Sequence, residues 1–443
     1  LVPNDAIFQI ESPGVAGPWN AAEALKRILA NTGLTYHFVG PTTVTLQFAT
    51  MQTSIDVTAA PDAVPLPRYT QPLQDTPQSI SILSPQLMKE QGATTLRDVL
   101  RNVAGISLAA GEGGSQGDNL TIRGFTARND IFLDGMRDFG SYYRDPFDME
   151  SVEVLEGASS VTFGRGSTGG IINQQSKSPQ AAPLISGAVD LGTDLTRRGT
   201  LDVNQPLEIL GQPAAFRLNL MGHDAKVADR DVAESRRFGV APSLAFGLGM
   251  PTRATLSYFH QSADDTPDYG IPWLFNGPAP VARQNYYGFR DGNYLRTNAD
   301  VVTTDIEHDF SHAATLRNQA RYARYTRNAR ITEARVPTNL TWATPLDAIP
   351  VARNQIAVNS VESFLDDQLD LTSRVRTGFL HHNAVAGVEG GRETSSPIRY
   401  AFTGVPGTGL LDPDENQPFS GSSTVSSQVH TTATSFATYA LDT

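Results

Sequence analysis

Cysteine, long apolar runs and an excess of basic residues are all absent from this chain of 443 residues. Without cysteine there are no disulfides, no thiolate metal ligands and no cysteine nucleophile. No apolar stretch approaches the roughly 18–20 residues that a membrane-spanning helix requires, which excludes a helical membrane protein. The net charge of −12 argues against nucleic-acid binding, because phosphates favour a basic surface.

Motifs of the common enzyme and metal classes are missing or out of context. There is no HExxH, no phosphate-binding loop and no EF-hand. Gly164–Gly169 matches GxGxxG, but Ile171–Gln174 favours a strand where a dinucleotide fold needs a helix. A GxSxG pattern surrounds Ser115 without the flanking strand and helix of a nucleophile elbow. His381 and His382 are neighbours on a predicted strand, so they point to opposite faces and cannot share a metal ion. We therefore expect no resident metal or cofactor.

Residues 1–50 predict a small α/β unit. Asn20 and Glu23 form a capping-box-like helix start, and Gly33 supplies the stop. Residues 34–39 and 43–48 then alternate as a β-hairpin. Prolines recur from 61 to 77, so residues 51–77 are expected to form an extended linker.

From about Pro183 onward the sequence alternates apolar and polar residues in segments about ten residues long. The predicted strands lie at 184–192, 199–207, 216–220, 236–248, 254–258, 300–310, 314–327, 361–375, 378–391 and 432–443. Their connections alternate between short and long, which is typical of an outer-membrane barrel with tight periplasmic turns and long extracellular loops. A soluble sandwich need not keep its long loops on one side.

Three glycine-marked motifs lie between these regions, at Asn119–Phe125, Phe132–Gly135 and Asp145–Asn173. The third contains two predicted strands, Ser151–Leu155 and Ser159–Phe163. In this order and spacing the motifs resemble the plug domain of TonB-dependent outer-membrane receptors. The resemblance is greatest to ferric-siderophore receptors of the catecholate type.

This resemblance implies a mostly β protein built from four regions. They are part of a periplasmic signalling domain (1–50), a linker with a TonB box (51–77), an α+β plug domain (78–180) and antiparallel transmembrane β-barrel strands (183–443). Plugged barrels have about 22 strands, and lipid does not tolerate open sheet edges. We therefore expect the natural chain to start before Leu1, with a signal peptide, and to continue past Thr443 for roughly twelve more strands.

The resemblance also implies binding without catalysis, by the apex of the plug and the extracellular loops. The residues expected to bind ligand are Gln116, Arg137, Tyr142, Tyr143, Arg144, Tyr269, Trp273 and Tyr286. Aromatic faces and guanidinium groups suit flat, anionic ferric catecholates. The alternative role for each aromatic residue is that of an anchor at the membrane interface.

Buried plug arginines are expected to hold the plug in the barrel, as in this family. Arg123 and Arg165 lie in plug motifs, and a buried guanidinium needs a carboxylate partner. Glu307 and Glu389, on predicted strands, are the expected partners. The alternative is that backbone carbonyls satisfy these arginines.

The implied partners follow from the family. The expected TonB box consists of Ser54, Ile55, Asp56, Val57, Thr58 and Ala59, which favour an extended backbone able to pair with TonB as an added strand. TonB with its inner-membrane energising complex, a ferric siderophore, an inner-membrane anti-sigma regulator and outer-membrane lipid are the expected partners. Iron is expected only within the ligand, and the N-terminal region is expected in the periplasm. Alternatives are another cargo (haem, cobalamin or a glycan) or a soluble β-rich serine hydrolase using Ser115.

Overall fold

The computed structural model describes residues 12–30, 32, 34–38, 43–48, 69, 71–108, 117–159, 163, 168–419 and 421–443. The chain divides into two compact units, Leu1–Ala59 and Ala60–Thr443. Among the described residues, no helix combines the length and apolar character needed to cross a membrane.

The first unit is one helix beside one hairpin. Its elements are α1 (Ala21–Ile28), β1 (Leu34–Phe38) and β2 (Val44–Phe48), with β1 and β2 antiparallel. The Asn20 side chain accepts a hydrogen bond from the Glu23 backbone N–H at 2.9 Å, which caps α1 as predicted. The Tyr36 hydroxyl donates to the Ala22 carbonyl at 3.0 Å and fastens the hairpin to the helix. The predicted helix and hairpin are present, whereas the predicted helix stop, Gly33, lies outside the described residues.

The second unit begins with the plug, residues 71–180, which has two short helices and two small sheets. Its elements are β3 (Ser79–Leu83), α2 (Pro85–Glu90), α3 (Leu96–Leu100), β4 (Ile106–Leu108), β5 (Leu120–Ile122), β6 (Phe125–Thr126), β7 (Ile131–Leu133), β8 (Met136–Arg137), β9 (Met149–Glu156) and β10 (Gly170–Ser176). One sheet has the order β3-β9-β10-β7-β8, with β10 and β7 parallel, and the other has the order β4-β5-β6.

Apolar side chains from the helices and both sheets form the core of the plug. Leu96 and Val99 of α3, Ile122 of β5, and Val152 and Val154 of β9 are fully buried. Each contributes roughly 1.5–3 kcal/mol relative to an exposed position. A capping box at the start of α3 satisfies its first backbone N–H groups. The plug is therefore a packed α+β domain.

The predicted strand Ser159–Phe163 is wrong at the residues that the structure describes. The Phe163 N–H donates to the Ser159 carbonyl at 2.9 Å, the spacing of a helical turn. The neighbour of β9 is β10 instead, with Ile171 opposite Leu155. Glycine makes this pairing possible, because a Cβ at Gly170 would collide with the Leu155 carbonyl oxygen.

The described remainder of the second unit has fifteen strands. The strands are β11 (Leu184–Leu191), β12 (Arg197–Ile209), β13 (Gln212–Lys226), β14 (Glu234–Phe246), β15 (Thr252–Asp265), β16 (Trp273–Leu274), β17 (Gly277–Pro278), β18 (Tyr294–Ser311), β19 (Ala314–Arg335), β20 (Pro350–Thr377), β21 (Leu380–Ser395), β22 (Ile398–Phe402), β23 (Thr408–Gly409), β24 (Ser423–Gln428) and β25 (Thr431–Asp442). Thirteen of them form one large antiparallel sheet, and two, β16 and β17, form a separate hairpin. We call the ten long strands of the large sheet the wall. The wall has the order β11-β12-β13-β14-β15-β18-β19-β20-β21-β25. Each predicted strand coincides with one of these long strands.

The two ends of the wall differ in their connections. Short turns at 210–211, 247–251, 312–313 and 378–379 lie at one end, the short-turn end. Segments 266–293, 336–349 and 396–430 lie at the other, the long-loop end, and carry the five short strands. The predicted alternation of short and long connections is therefore present.

The two faces of the wall differ in chemistry. The outer face exposes large apolar side chains, including Ile185, Leu256 and Leu365. Val301 is buried whereas its neighbour Val302 is exposed, because successive residues of a strand point to opposite faces. The inner face packs against the plug.

Candidate functional site

Arg144 lies near the end of the plug loop 138–145 and is buried. Its Nε donates to Asp138 Oδ2 at 2.7 Å, and its Nη1 donates to Asp118 Oδ2 at 3.1 Å. Burial alone would lower the pKa of Arg144, but the electrostatic contributions of Asp138, Tyr142 and Asp118 together outweigh burial and raise it. A guanidinium paired in this way has no face left for a ligand, so its predicted ligand-binding role is wrong.

Tyr142 is also internal, which corrects a second prediction. Its hydroxyl donates to Asp138 Oδ2 at 2.9 Å. Its ring stacks on Tyr325 of β19, with centroids 5.9 Å apart. Burial, reinforced by the charge of Asp138, raises the pKa of Tyr142 well above its usual range. Tyr142 therefore helps to seat the plug against the wall.

Tyr143 and Tyr269, predicted from separate segments, are brought together by the structure. Both pack against an apolar cluster of Leu295, Ala329 and Ile331 at the long-loop end of β18 and β19. The Tyr269 hydroxyl also donates to Glu333 Oε1 at 3.1 Å. These two rings therefore join the plug loop to the loop after β15.

The remaining predicted ligand residues have different environments. Tyr286 is buried, and its hydroxyl donates to the Pro267 carbonyl at 2.9 Å, so it supports the loop rather than facing ligand. Trp273 is 65% exposed and open to solvent. Gln116 lies outside the described residues.

Arg137 joins the plug to the wall. Its Nη1 donates to Glu393 Oε1 of β21 at 3.2 Å, and its Nη2 donates to the Asn129 carbonyl at 2.9 Å. The predicted ligand residue thus takes part in an ion pair between plug and wall.

The ion pairs predicted to hold the plug are not formed as expected. Arg123 is 52% exposed at its side chain and pairs with Glu156 of the plug's own β9 at 2.5 Å. Glu307 pairs with Arg253 at 2.6 Å and so belongs to a network within the wall. Because both charges are satisfied inside their own domains, the predicted pairing of Arg123 with Glu307 is wrong. Glu389 lies on β21 opposite Gln368, and Arg165 lies outside the described residues.

The main plug anchor has the opposite polarity, with the carboxylate on the plug and the guanidinium groups on the wall. Asp145 is fully buried. Arg198 of β12 donates two hydrogen bonds to this carboxylate, from Nη1 to Oδ2 at 2.8 Å and from Nη2 to Oδ1 at 2.6 Å. Arg237 of β14 lies 3.3 Å from Asp145 Oδ2 and also donates to the Thr94 carbonyl at 2.8 Å. Bidentate pairing gives this anchor a defined geometry.

The register of the wall explains how these groups meet. Arg198, His223 and Arg237 lie directly opposite one another on β12, β13 and β14. All three are buried on the inner face. A row of this kind carries two permanent positive charges, which require a carboxylate when buried. Asp145 of the plug supplies that carboxylate.

Arg321 of β19 forms a second anchor. It is almost fully buried, donates to the Leu133 carbonyl at 2.7 Å and lies 3.3 Å from Asp134 Oδ2. Asp134 and Gly135 form the tight turn between β7 and β8, with φ values of 50° and 84°. Positive φ at both central residues matches the hairpin turn that Asp-Gly favours. The wall therefore holds the tip of a plug hairpin.

A group of basic side chains lies near the plug loop at the long-loop end, and we call it the arginine cluster. It consists of Arg128 of the plug, Arg327 of β19 and Arg399 of β22, with Glu362 of β20. Burial lowers the pKa of Arg128, the charge of Glu362 opposes this shift, and Arg399 reinforces it. Arg327 lies close enough to Glu362, Arg128 and Arg399 to interact with their charges. The cluster carries more positive than negative charge.

Two further arginines at the long-loop end stack on aromatic rings. Arg330 lies over Phe402 and Phe419, at 4.7 and 5.4 Å from the ring centroids. Arg353 lies over Phe289 at 4.5 Å. This end of the molecule therefore combines cations with aromatic surface. The described residues contain no group of acidic and histidine side chains that could hold a metal ion.

Sequence reasoning missed Asp145, the wall arginines and the arginine cluster. The adjacent opposite charges of Arg144 and Asp145 were the available signal, because neighbours in an extended segment point in opposite directions. Arg144 faces into the plug, and Asp145 faces the wall.

Comparison with known proteins agrees with this architecture. Residues 72–171 match the family model described as the TonB-dependent Receptor Plug Domain. The Catecholate siderophore receptor Fiu of Escherichia coli strain K12 is 35% identical over 403 residues, which cover 87% of this chain and 52% of that protein. The Probable TonB-dependent siderophore receptor PiuA of Acinetobacter baumannii is 38% identical over 336 residues, covering 73% of this chain and 44% of that protein.

Solved structures show the same fold. The closed form of Fiu, described as a ferric-catecholate import receptor, aligns with a TM-score of 0.79 at 35% identity, covering 86% of this chain and 56% of that chain. The ferripyoverdine receptor of the outer membrane of Pseudomonas aeruginosa aligns with a TM-score of 0.74 over 97% of this chain and 57% of that chain. At 20% identity, the latter match shows the fold alone.

The plug, the wall packed against it and these matches together define the plug and part of the β-barrel of a TonB-dependent outer-membrane receptor. The chain belongs to the TonB-dependent receptor family, and it is similar to the siderophore receptors Fiu and PiuA. It spans about half the length of these curated relatives. All of them are described as receptors, which supports the prediction that the chain is not an enzyme.

Proposed function

We propose that the protein is an outer-membrane receptor that binds a ferric siderophore of the catecholate type at its long-loop end and imports it to the periplasm. The observation that carries this proposal is the arginine cluster beside the apex of the plug. Although the whole chain has a net charge of −12, three guanidinium groups gather there around a single carboxylate, Glu362.

The chemistry of this end suits such a ligand. A ferric catecholate is anionic and presents flat aromatic faces. Guanidinium groups attract its charge and form charge-assisted hydrogen bonds with its oxygens. The exposed Trp273 offers an aromatic surface for stacking. Iron enters only as part of the ligand, and the names of Fiu and PiuA support the assignment.

Import requires that the plug move, since it is anchored to the wall at Asp145 and Asp134. We infer that ligand orders the long-loop end and that TonB, with its inner-membrane energising complex, engages Ser54–Ala59 as an added strand. That segment lies outside the described residues. The apolar outer face of the wall is in contact with outer-membrane lipid in this scheme.

Fluorescence titration tests the ligand class. The protein has three tryptophans, and Trp273 and Trp342 are both exposed at the long-loop end. We expect saturable quenching by a ferric catecholate and none by a ferric hydroxamate. Haem, cobalamin and glycans serve as competitors. Quenching by one of these cargoes, with no response to the catecholate, would overturn the proposed ligand class.

We also propose that the first unit, in the periplasm, signals ligand binding to an inner-membrane anti-sigma regulator. Its helix and hairpin support the proposal, as does the match to the ferripyoverdine receptor, whose 97% coverage must include most of this unit. A regulator-dependent reporter should respond to ligand with the unit present and not after its removal. An unchanged response after removal would contradict this role.

A further inference from the structure

Glu362 and Ser360 are buried polar residues with unused hydrogen-bonding capacity. Both lie on the inner face of β20, and Glu362 is only 7% exposed. The Ser360 hydroxyl lies close to the Glu362 carboxylate, and beyond this neighbour Glu362 Oε2 has no hydrogen-bond partner among the residues that the structure describes. An unpaired buried acceptor is unfavourable. Its presence beside a binding surface indicates that another molecule supplies the donor.

The neighbours of Glu362 place it next to the apex of the plug. Tyr325 of β19 lies directly opposite Glu362 and stacks on Tyr142 of the plug loop. On the other side of β20, Ser395 of β21 is opposite Glu362, two residues from the Glu393 that binds Arg137 of the plug. Glu362 therefore belongs to the layer where wall, plug and ligand are expected to meet.

The charges around Glu362 make its position informative. Arg327 of β19 lies directly opposite Ser360, two residues from Glu362 on the same face of β20. The three guanidinium groups of the arginine cluster would by themselves suit a purely anionic ligand. The Glu362 carboxylate repels such a ligand, because both carry negative charge. A carboxylate with an open acceptor suits a ligand that also carries a donor.

We propose that Glu362 is a specificity-determining residue, which accepts a hydrogen bond from a donor group, preferably an ammonium, located beside the anionic centre of the ligand. Ser360 contributes a second polar contact, and the arginine cluster holds the anionic centre. This inference rests on the proposed function, because it assigns a substrate preference to the same binding surface.

Two matched ferric complexes test the preference. One is the ferric complex of N-(2-aminoethyl)-2,3-dihydroxybenzamide, which carries ammonium groups. The other is the complex of N-propyl-2,3-dihydroxybenzamide, of nearly equal size but without a donor on the arm. Dissociation constants of both are measured by tryptophan quenching for the wild-type protein and for Glu362→Gln. The ratio of the two constants isolates the contact, as in a double-mutant cycle.

We expect the preference for the aminoethyl complex, expressed as this ratio, to fall about tenfold in Glu362→Gln, because the carboxylate is the stronger acceptor for an ammonium. Glu307→Gln is the matched control, since Glu307 is a carboxylate at the short-turn end of the wall and should leave the ratio unchanged. Glu362→Asp, which keeps the charge but shortens the side chain, should give a smaller decrease. It also serves if the glutamine variant does not fold.

The outcomes distinguish this inference from the proposed function. Binding of both complexes with the same ratio in wild-type protein and Glu362→Gln would overturn the inference and leave the proposed function standing. Failure of wild-type protein to bind either complex would overturn both.

Discussion

At the scale of single residues, the strongest coupling between plug and wall passes through Asp145. This carboxylate is fully buried and compensates two buried guanidinium groups, Arg198 and Arg237. Removing one partner of a buried ion pair leaves an uncompensated charge, which costs about 3–5 kcal/mol. We expect Asp145→Asn to loosen the plug by this order, so that the plug becomes sensitive to protease while the wall stays folded.

Limited proteolysis of the detergent-extracted protein checks this prediction. Glu150→Gln is the matched control, because Glu150 is also a plug carboxylate near a wall arginine. It is 48% exposed and lies 3.9 Å from Arg217, so it contributes little. Equal protease resistance of Asp145→Asn and Glu150→Gln would show that the anchor does not hold the plug.

Asp148 should make the stability of the protein depend on pH. Burial raises its pKa from 3.8 to about 7 and outweighs the opposing charge of Lys177, which also pairs with Asp202 of the wall at 3.1 Å. The folded state thus retains a proton that the unfolded state releases. The stability from this proton is full below the unfolded pKa of 3.8 and is lost as pH rises through 7.

Asp148→Asn removes this titration. Relative to the wild-type protein, the variant should gain thermal stability as the pH is raised from about 5 to about 8, since the wild type must then ionise a buried carboxylate. Thermal unfolding midpoints across this window measure the difference, and Glu150→Gln controls for the loss of a carboxylate. A constant difference between Asp148→Asn and wild type would refute the prediction.

Single residues of the plug also show where the prediction of ligand-binding side chains from sequence failed. Arg137, Tyr142 and Arg144 were predicted to bind ligand because the family resemblance places them at the apex of the plug and their aromatic and guanidinium groups suit ferric catecholates. The structure buries Tyr142 and Arg144 through Asp138 of the same loop and Asp118 of a separate turn, and packs Tyr142 on Tyr325 of the wall. Such convergence depends on tertiary packing, which the local sequence pattern does not specify.

At the scale of elements, the wall was predictable and the plug less so. Period-two alternation follows directly from a sheet with one lipid-facing side, so every long strand left a visible pattern. The strand predicted at Ser159–Phe163 failed because alternation over so short a segment does not distinguish a strand from a helical turn. The long loops carry short strands that their mixed composition did not reveal.

The hairpin of β7 and β8 gives an element-scale prediction. Its tip, Asp134 and Gly135, is held to the wall by Arg321. Replacing Arg321 by glutamine removes the charge and shortens the reach, so the hairpin should open locally more often. Hydrogen–deuterium exchange at residues 131–137 should rise, while exchange in the wall should not change.

Arg324→Gln provides the comparison for this experiment, because Arg324 is exposed on the opposite face of the same strand, three residues away. We expect no change in exchange at 131–137 for this variant. If both variants increased exchange equally, the effect would belong to β19 as a whole and not to the contact with the hairpin.

At the scale of the whole molecule, binding and transport should be separable. Ligand contacts are expected at the long-loop end, whereas the predicted TonB box at Ser54–Ala59 precedes the plug in the chain. Anchors at Asp145 and Asp134 join the plug to the wall. A strand added at the box supplies a point of attachment for force, and it contributes nothing to the ligand surface.

Deleting residues 54–59 should therefore abolish uptake of radioactive ferric catecholate by cells while leaving the dissociation constant of the purified receptor unchanged. Deletion of an equally long segment, 62–67, from the same linker is the control, because it shortens the tether equally and spares the box. Transport should survive in this control. Loss of ligand binding together with transport in the first deletion, or equal loss of transport in both deletions, would contradict a separate TonB-pairing segment and would assign residues 54–59 to the tether alone.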